Sequence, residues 1–429
     1  MNAPVNSNGV GSRTNHYDVL IVGGGMVGGL LCAALATLTA RSQQPLRIAV
    51  VENRLPEAFP AGTTPEYDLR VSALSIASEQ MLRNVGAWDG IVARRACEYS
   101  RLSVWDGEQA GRTEFNAADV QASHLGHIVE NRVIQLALLA SLEQWQNVSI
   151  ISPASLSRIQ VLHDRVNVVL NNNSELSAKL LVGADGANSL VRKQAGIAME
   201  RKNYPQHALV ATVQTALAQQ DITWQRFVPS GPQAMLPLCG SKASLVWYHT
   251  ENEIERLMAL PDAQFLDELS IAFPEELGVV ERLESRGSFP IAKAHAATYI
   301  APRVALVGDA AHTVHPLAGQ GVNLGMLDAG TLADVISTAH NKGRSFTDQV
   351  TLRRYQRTRF LHNQVMISTL DSLYELFKSR PLPVREVRSL SLNAINHFTP
   401  LKNQIMRYAM GVEGELPSLA RPLHSKIDD

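Results

Sequence analysis

The segment from Tyr17 to Glu52 constrains the fold of this chain more than any other. Tyr17-Asp18-Val19-Leu20-Ile21-Val22 is an apolar run of the length of a short buried strand. It leads into Gly23-Gly24-Gly25-Met26-Val27-Gly28, a G-x-G-x-x-G turn, and Met26 to Leu38 then has the Ala- and Leu-rich spacing of a helix. Ile48-Ala49-Val50-Val51 reads as a second strand, closed by Glu52. Each part of this unit has a physical task. Gly23 permits a tight turn, Gly25 lets the backbone approach a pyrophosphate, and Gly28 lets helix and strand pack closely. The helix start, at Met26 and Val27, offers unpaired N–H groups and a positive dipole end to phosphates. Glu52 is placed to accept hydrogen bonds from a ribose, and an acid there suits an unphosphorylated 2′-hydroxyl. Strand, turn, helix, strand and acid together predict a dinucleotide site.

With 429 residues, the chain is long enough for two or three lobes. Hydrophobic residues make up 45% and charged residues 18%, which is the profile of a folded rather than a disordered chain. A net charge of −1 gives no reason to expect nucleic acid. The three cysteines, Cys32, Cys97 and Cys239, are far apart and odd in number, against a disulfide framework or thiolate metal site and in keeping with a reducing compartment. No apolar run reaches the roughly 18 residues of a spanning helix. The first residues lack an apolar signal core.

Along the chain, the spacing predicts a loop over 56–68 and a helix over 71–85. Strands are expected at 102–105 and 127–129, and a helix at 131–142 with Asn131 as its cap. Further strands are expected at 156–161, 166–170 and 176–182. From 208 to 248 the pattern turns to short alternating strands broken by Pro229, Pro232, Pro237 and Gly240, an antiparallel rather than a βαβ signature. Val304–Val307 restores a buried strand, and helices follow at 323–338, 347–377, 384–397 and 402–410. The expected architecture is α/β: a discontinuous Rossmann-like domain over 17–189 and 286–345, an inserted antiparallel β-sheet domain over 190–285, a C-terminal helical region over 346–429, and a loose tail over 1–16.

A second motif, Gly308-Asp309-Ala310-Ala311-His312 followed by His315-Pro316-Leu317-Ala318-Gly319-Gln320-Gly321-Val322-Asn323, sits after the 304–307 strand. Ligands of open α/β sheets lie outside the carboxyl ends of the strands. Asp309 is placed there to hold a polyol, and the helix after Gly319 and Gly321 aims its positive end at whatever lies beside it. A glycine loop capping a helix is the competing explanation. His312 and His315 have H-x-x-H spacing but no third ligand nearby, so no metal is expected. A third motif, Gly183-Ala184-Asp185-Gly186, explains itself equally well by turn chemistry or by cofactor contact.

Taken together, the motifs at 23–28, 183–192 and 308–323 resemble those of the FAD-dependent aromatic hydroxylases of the para-hydroxybenzoate hydroxylase type. Gly308–Asp328, GDAAHTVHPLAGQGVNLGMLD, is similar to the ubiquinone-biosynthesis hydroxylases within that group, as are GGGMVGG at 23–29, VENRVIQ at 129–135, TWQRFVPSGPQAMLP at 223–237 and ASLVWY at 243–248. The resemblance runs from about Tyr17 to Gly411.

It implies FAD as cofactor and O2 as co-substrate, with oxygen delivered through a flavin hydroperoxide to the ring of a polyprenylated quinol. It implies that Glu52 holds the adenosine ribose, that Gly23, Gly25 and Gly28 face the pyrophosphate, and that Asp309 holds the ribityl chain. It further places Arg70, Arg132 and Asp185 beside the cofactor and His315, Pro316, Gly319, Gln320 and Gly321 in the active-site loop. With a single G-x-G-x-x-G, reduction requires transient NAD(P)H docking or a protein electron donor. Tyr248, His249 and His295 are candidates for a general base, each also readable as a packed or surface residue. Trp224, Phe227, Met235 and Trp247 are candidate walls of a ring pocket, or core aromatics. The apolar residues Leu373, Leu376, Phe377, Leu390 and Phe398 are expected to pack on the cofactor lobe, with lipid contact as the alternative. The implied protein is cytoplasmic, with peripheral contact at the inner membrane face and membership of a quinone-synthesis assembly as further expectations. A reductase or dehydrogenase on the same fold, and a flavin-holding structural subunit, stay open beside the hydroxylase.

Overall fold

The computed structural model describes residues 15–60, 66–107, 111–274, 278–378 and 382–421. Five strands form the parallel centre of the first sheet, in the order Val304–Leu306, Glu175–Gly183, His16–Val22, Ile48–Val51 and Val148–Ile151. Val and Ile crowd these strands because helices or loops cover both faces. Register then does the decisive work. Val22 pairs with Gly183 and with Val51, Gly183 pairs with Leu306, and Val51 pairs with Ile151. The strands therefore end level, and the residues that follow them share one edge.

Helix Met26–Thr39 packs on this sheet and against helix Gln320–Asn341. Close contact needs glycine at two crossings. A Cβ on Gly28 would lie 1.9 Å from the Gly23 carbonyl oxygen, and one on Gly325 would lie 2.7 Å from Val27 Cγ2.

The second sheet is mainly antiparallel, ordered His312–Thr313, Val280–Ala296, Met199–Thr215, Lys242–Thr250, Gly231–Leu238, Ile222–Val228, Arg101–Asp106 and Arg112–Asn116. It therefore reaches beyond 190–285. Strand Arg101–Asp106 enters from the first segment and pairs in parallel with Ile222–Val228, and Val280–Ala296 runs on past 285. A third, small sheet joins Val71–Ser75, Gly126–Glu130 and Cys97–Tyr99.

Two local expectations change. Residues 71–75 form a strand rather than the start of a helix, because Val71–Ser75 find a ladder partner in Gly126–Glu130; the helix is Ile76–Asn84. Asn131 lies inside helix Asn131–Leu142 rather than capping it, and its Oδ1 accepts from Ser72 Oγ at 2.7 Å.

The C-terminal helices are Gln349–Lys378, Leu382–His397 and Thr399–Ala409. Phe377 stacks on Phe227 of the antiparallel sheet, ring centroids 3.6 Å apart, in a cluster that also holds Leu317 and Leu324. Leu373, Leu376, Leu390 and Phe398 stay exposed. Among the described residues, no helix is long and apolar enough to cross a membrane.

Candidate functional site

At the level edge of the parallel sheet, four loop starts meet. Gly23 follows one strand, Glu52 the next, Ala184-Asp185 the third and Gly308-Asp309 the fourth. Gly23 has φ +102°, and a Cβ there would lie 2.3 Å from the Ala184 carbonyl oxygen, so the protein itself demands glycine. Gly25 differs. Its φ is −66°, and a Cβ would meet only Gln135 Nε2, at an ordinary 3.6 Å. Among the described residues, none is close enough to require glycine at 25. Gly321 shows the same openness, its nearest neighbour being Val314 at 3.8 Å.

The Glu52 carboxylate accepts from Gly24 N at 2.6 Å and from Arg54 N at 2.9 Å. These two bonds hold the turn and leave lone pairs for a ribose. Asp309 makes no hydrogen bond or ion pair with another described residue, although it is open to solvent. Protein crowds its other sides, and that desolvation raises its pKa against the pull of His312 and Arg70. An unpartnered acid at the end of a parallel strand is a ready acceptor for hydroxyl groups. Gly319, exposed and at φ +61°, starts helix Gln320–Asn341, whose first turn holds Gly321 and Val322.

Several other expected residues have protein contacts of their own. The Asp185 carboxylate accepts from Ser189 Oγ and from the backbone N–H groups of Leu190 and Val191 at 2.7 and 3.1 Å, so turn chemistry accounts for it. Asn323 is buried; its Oδ1 accepts from Ser75 N and Ser78 Oγ and its Nδ2 donates to Ala73 O, which ties the loop to strand Val71–Ser75. Arg132 pairs with Asp68, Nε to Oδ2 3.0 Å, beneath Phe59. Arg70 lies over the Phe289 ring at 4.6 Å and is near enough to Asp309 to lower its pKa. Pro316 is exposed in the same loop.

Behind Gly308 lies a buried polar network that the sequence did not reveal. Asp328, fully buried, accepts from Arg359 Nε at 2.8 Å, Asn363 Nδ2 at 3.0 Å and Gly308 N at 3.2 Å, and pairs with His312 Nε2. Burial opposes its ionisation, but the His312 and Arg359 charges and hydrogen bonds prevail and hold its pKa well below the usual range. His312 is thereby a structural partner. His295 joins the same region through Tyr299, Nε2 to OH 2.8 Å.

The second sheet meets the loop through one face only. Tyr204, Phe227 and Tyr248 cluster there with Leu317, Tyr374 and Phe377. Trp224, Met235 and Trp247 lie on the opposite face, beneath helices Glu251–Ala259 and Asp262–Ala272, as core aromatics. The two-residue period of strands separates Trp247 from Tyr248. His315 is buried among Tyr204, Tyr248 and Tyr374, with ring centroids 4.8, 5.8 and 4.9 Å away. Its Nδ1 accepts from Leu317 N at 3.3 Å and its Nε2 has no partner. Burial pushes its pKa down to about 4. His249 sits apart at the strand rim, its Nδ1 accepting from Thr250 N at 2.9 Å.

Residues 16–368 match the family model described as "FAD binding domain". The 3-demethoxyubiquinol 3-hydroxylase of Escherichia coli (strain K12) is 41% identical over 395 residues, covering 92% of this chain and 98% of that protein. The chain belongs to the FAD-dependent ubiquinone-biosynthesis hydroxylases. The ubiquinone hydroxylase UbiL of Rhodospirillum rubrum is 35% identical, over 94% of this chain and 91% of its own length. Among solved structures, PqsL of Pseudomonas aeruginosa in complex with 2-aminobenzoylacetate superposes with a TM-score of 0.73 at 26% identity, covering 88% of this chain and all of that one. The protein is thus an FAD-dependent monooxygenase with the para-hydroxybenzoate hydroxylase type of fold.

Two signals for the site went unused in the sequence. Gln135 is one helical turn beyond Arg132 and faces Gly25. Arg359 and Asn363 have i,i+4 spacing, which places both on one helix face toward Asp328.

Proposed function

We propose that this protein hydroxylates the ring of a polyprenylated ubiquinone precursor, by 3-demethoxyubiquinol 3-hydroxylation. The similarity to the Escherichia coli 3-demethoxyubiquinol 3-hydroxylase over nearly the whole of both chains carries this choice of substrate. When bound and reduced, FAD supplies the activation of dioxygen. In this reading the residues of the chain do the rest. The Gly23–Gly28 turn and the start of helix Met26–Thr39 receive the pyrophosphate, Glu52 the ribose, and Asp309 the ribityl hydroxyls. The turn at Gly319 and Gly321 brings backbone N–H groups toward the flavin ring. The aromatic face of Tyr204, Phe227 and Tyr248 orients an apolar ring and keeps water from it. His315, neutral at physiological pH, offers Nε2 as a hydrogen-bond donor on that side. A quinol activates its own ring, so no strong protein base is required.

Exposed Leu390 and Phe398 support contact with the lipid that holds a prenylated substrate. The electron donor is NAD(P)H or a reductase protein.

The decisive experiment is deletion of the gene in its own cell, with the accumulated quinones identified by mass spectrometry. Build-up of the demethoxy precursor, restored to ubiquinone by the intact gene but not by a flavin-free Asp309→Ala variant, is the expected result. Accumulation of an earlier prenylphenol would move the hydroxylation to another ring position. Full rescue by the flavin-free variant would make the chain a structural subunit.

A further inference from the structure

Away from the flavin edge, three side chains distant in sequence converge. Glu79 lies in helix Ile76–Asn84, His124 in the loop before strand Gly126–Glu130, and His127 on that strand. Oε2 of Glu79 is 2.8 Å from His124 Nε2 and 3.0 Å from His127 Nδ1, and the three atoms lie within 4.8 Å of one another. Glu79 is 4% and His127 8% exposed, so these are not solvated surface groups.

We propose that Glu79, His124 and His127 form a binding site for one divalent transition-metal ion, zinc by the nature of the donors. Three features beyond proximity support it. First, His127 Nδ1 is buried and, among the described residues, has no aligned hydrogen-bond partner, although it lies 3.0 Å from Glu79 Oε2. A buried nitrogen without a partner costs free energy that a metal bond would recover. Second, the outward nitrogens face oxygen. His124 Nδ1 is 2.8 Å from Ser123 Oγ, and Glu98 Oε2 is 3.7 Å from His124 Nδ1 and 3.8 Å from His127 Nε2. Histidines that bind metals are oriented through the nitrogen that is not a ligand, as the Ser123 contact does for His124, while Glu98 adds negative charge nearby. Third, Glu79 and His124 line a cavity of about 490 Å³, shared with Ser123, Arg407 and Glu413, which has room for a water as fourth ligand.

The carboxylate is ready for the role. Arg83 binds its other oxygen, Oε1, at 2.7 and 2.9 Å and leaves Oε2 free of the guanidinium. Two imidazoles and one carboxylate suit zinc, with metal–ligand distances of about 2.0–2.2 Å. They do not suit magnesium or calcium, which take oxygen ligands. A bound ion would pin helix Ile76–Asn84 to strand Gly126–Glu130.

The test uses the FAD-loaded protein, dialysed against EDTA and titrated with Co2+ and with Zn2+. One ion per chain is expected, with a cobalt visible spectrum of four-coordinate type. His124→Ala, chosen because its side chain is partly exposed, should weaken binding at least 100-fold while FAD content is kept. Ser123→Ala should weaken it about tenfold, the range for a residue hydrogen-bonded behind a ligand. Absence of cobalt binding, or unchanged affinity and stoichiometry in His124→Ala, would overturn the proposal.

Discussion

The backbone N–H of Gly308 donates to Asp328 Oδ2 at 3.2 Å, so a carboxylate buried in helix Gln320–Asn341 sets the loop that presents Asp309. The same side chain meets Arg359 and His312, which lie on a later helix and on the loop itself. The Gly308 loop therefore rests on an ion-paired network and not on the glycines alone.

Asp328→Asn should destabilise the protein by about 3–5 kcal/mol, because it leaves the buried Arg359 guanidinium without its counter-charge. Urea unfolding monitored by circular dichroism measures this. The variant should also retain less FAD after gel filtration, since the Gly308 loop loses an anchor.

Gly25→Ala and Gly28→Ala should part company. At 25 a Cβ meets ordinary contact, so the apo-protein should keep its stability to within about 1 kcal/mol while FAD binds at least tenfold more weakly. At 28 a Cβ would lie 1.9 Å from the Gly23 carbonyl oxygen, so the strand–helix turn cannot close and soluble protein should be lost. Thermal melting with and without FAD separates the two cases. Equal FAD affinity in Gly25→Ala would remove Gly25 from the pyrophosphate contact.

Asp309→Ala should bind FAD poorly yet fold as well as the parent. Among the described residues its carboxylate has no hydrogen-bond or ion-pair partner, and desolvation raises its pKa, so its removal relieves a cost rather than creating one. Unfolding of the apo-protein should shift by less than about 1 kcal/mol, or toward greater stability. A large loss would show a structural task for Asp309 instead.

Stability should fall between pH 6.5 and pH 4 in part because of His315. Its folded pKa is about 4, below the ordinary value of 6.5, so in this window the unfolded chain binds the proton and the folded chain does not. Unfolding is therefore favoured as pH drops through the window, and below about pH 4 this group adds nothing more. The contribution is roughly 3 kcal/mol as an upper bound. His315→Phe should flatten the slope in denaturant titrations across these pH values. A parallel slope would show that His315 is solvated in the folded protein.

The dinucleotide unit and the late Gly-Asp loop were legible along the chain because each rests on local spacing. A strand, a tight glycine turn and a helix start are written within a dozen residues, and Ile48–Val51 needed only its apolar run. Where partners are distant, spacing misled. Val71–Ser75 has helical periodicity, yet a ladder with Gly126–Glu130 draws it into a sheet. Spacing left Trp224 and Trp247 open between pocket wall and core, and the strand period and the covering helices put them in the core, on the far face from Tyr248.

Sequence by itself determined the ligand class and the order of the motifs, because phosphate-binding turns are short-range structures whose glycines state their own backbone needs. Only the tertiary structure decided that these motifs end level at one edge, that Asp185 and Asn323 serve the fold with their side chains, and that Asp328, Arg359 and His312 share one buried network. Those outcomes depend on strand register and on which helix covers which face. Both are set by burying side chains from segments hundreds of residues apart, and no local spacing records them.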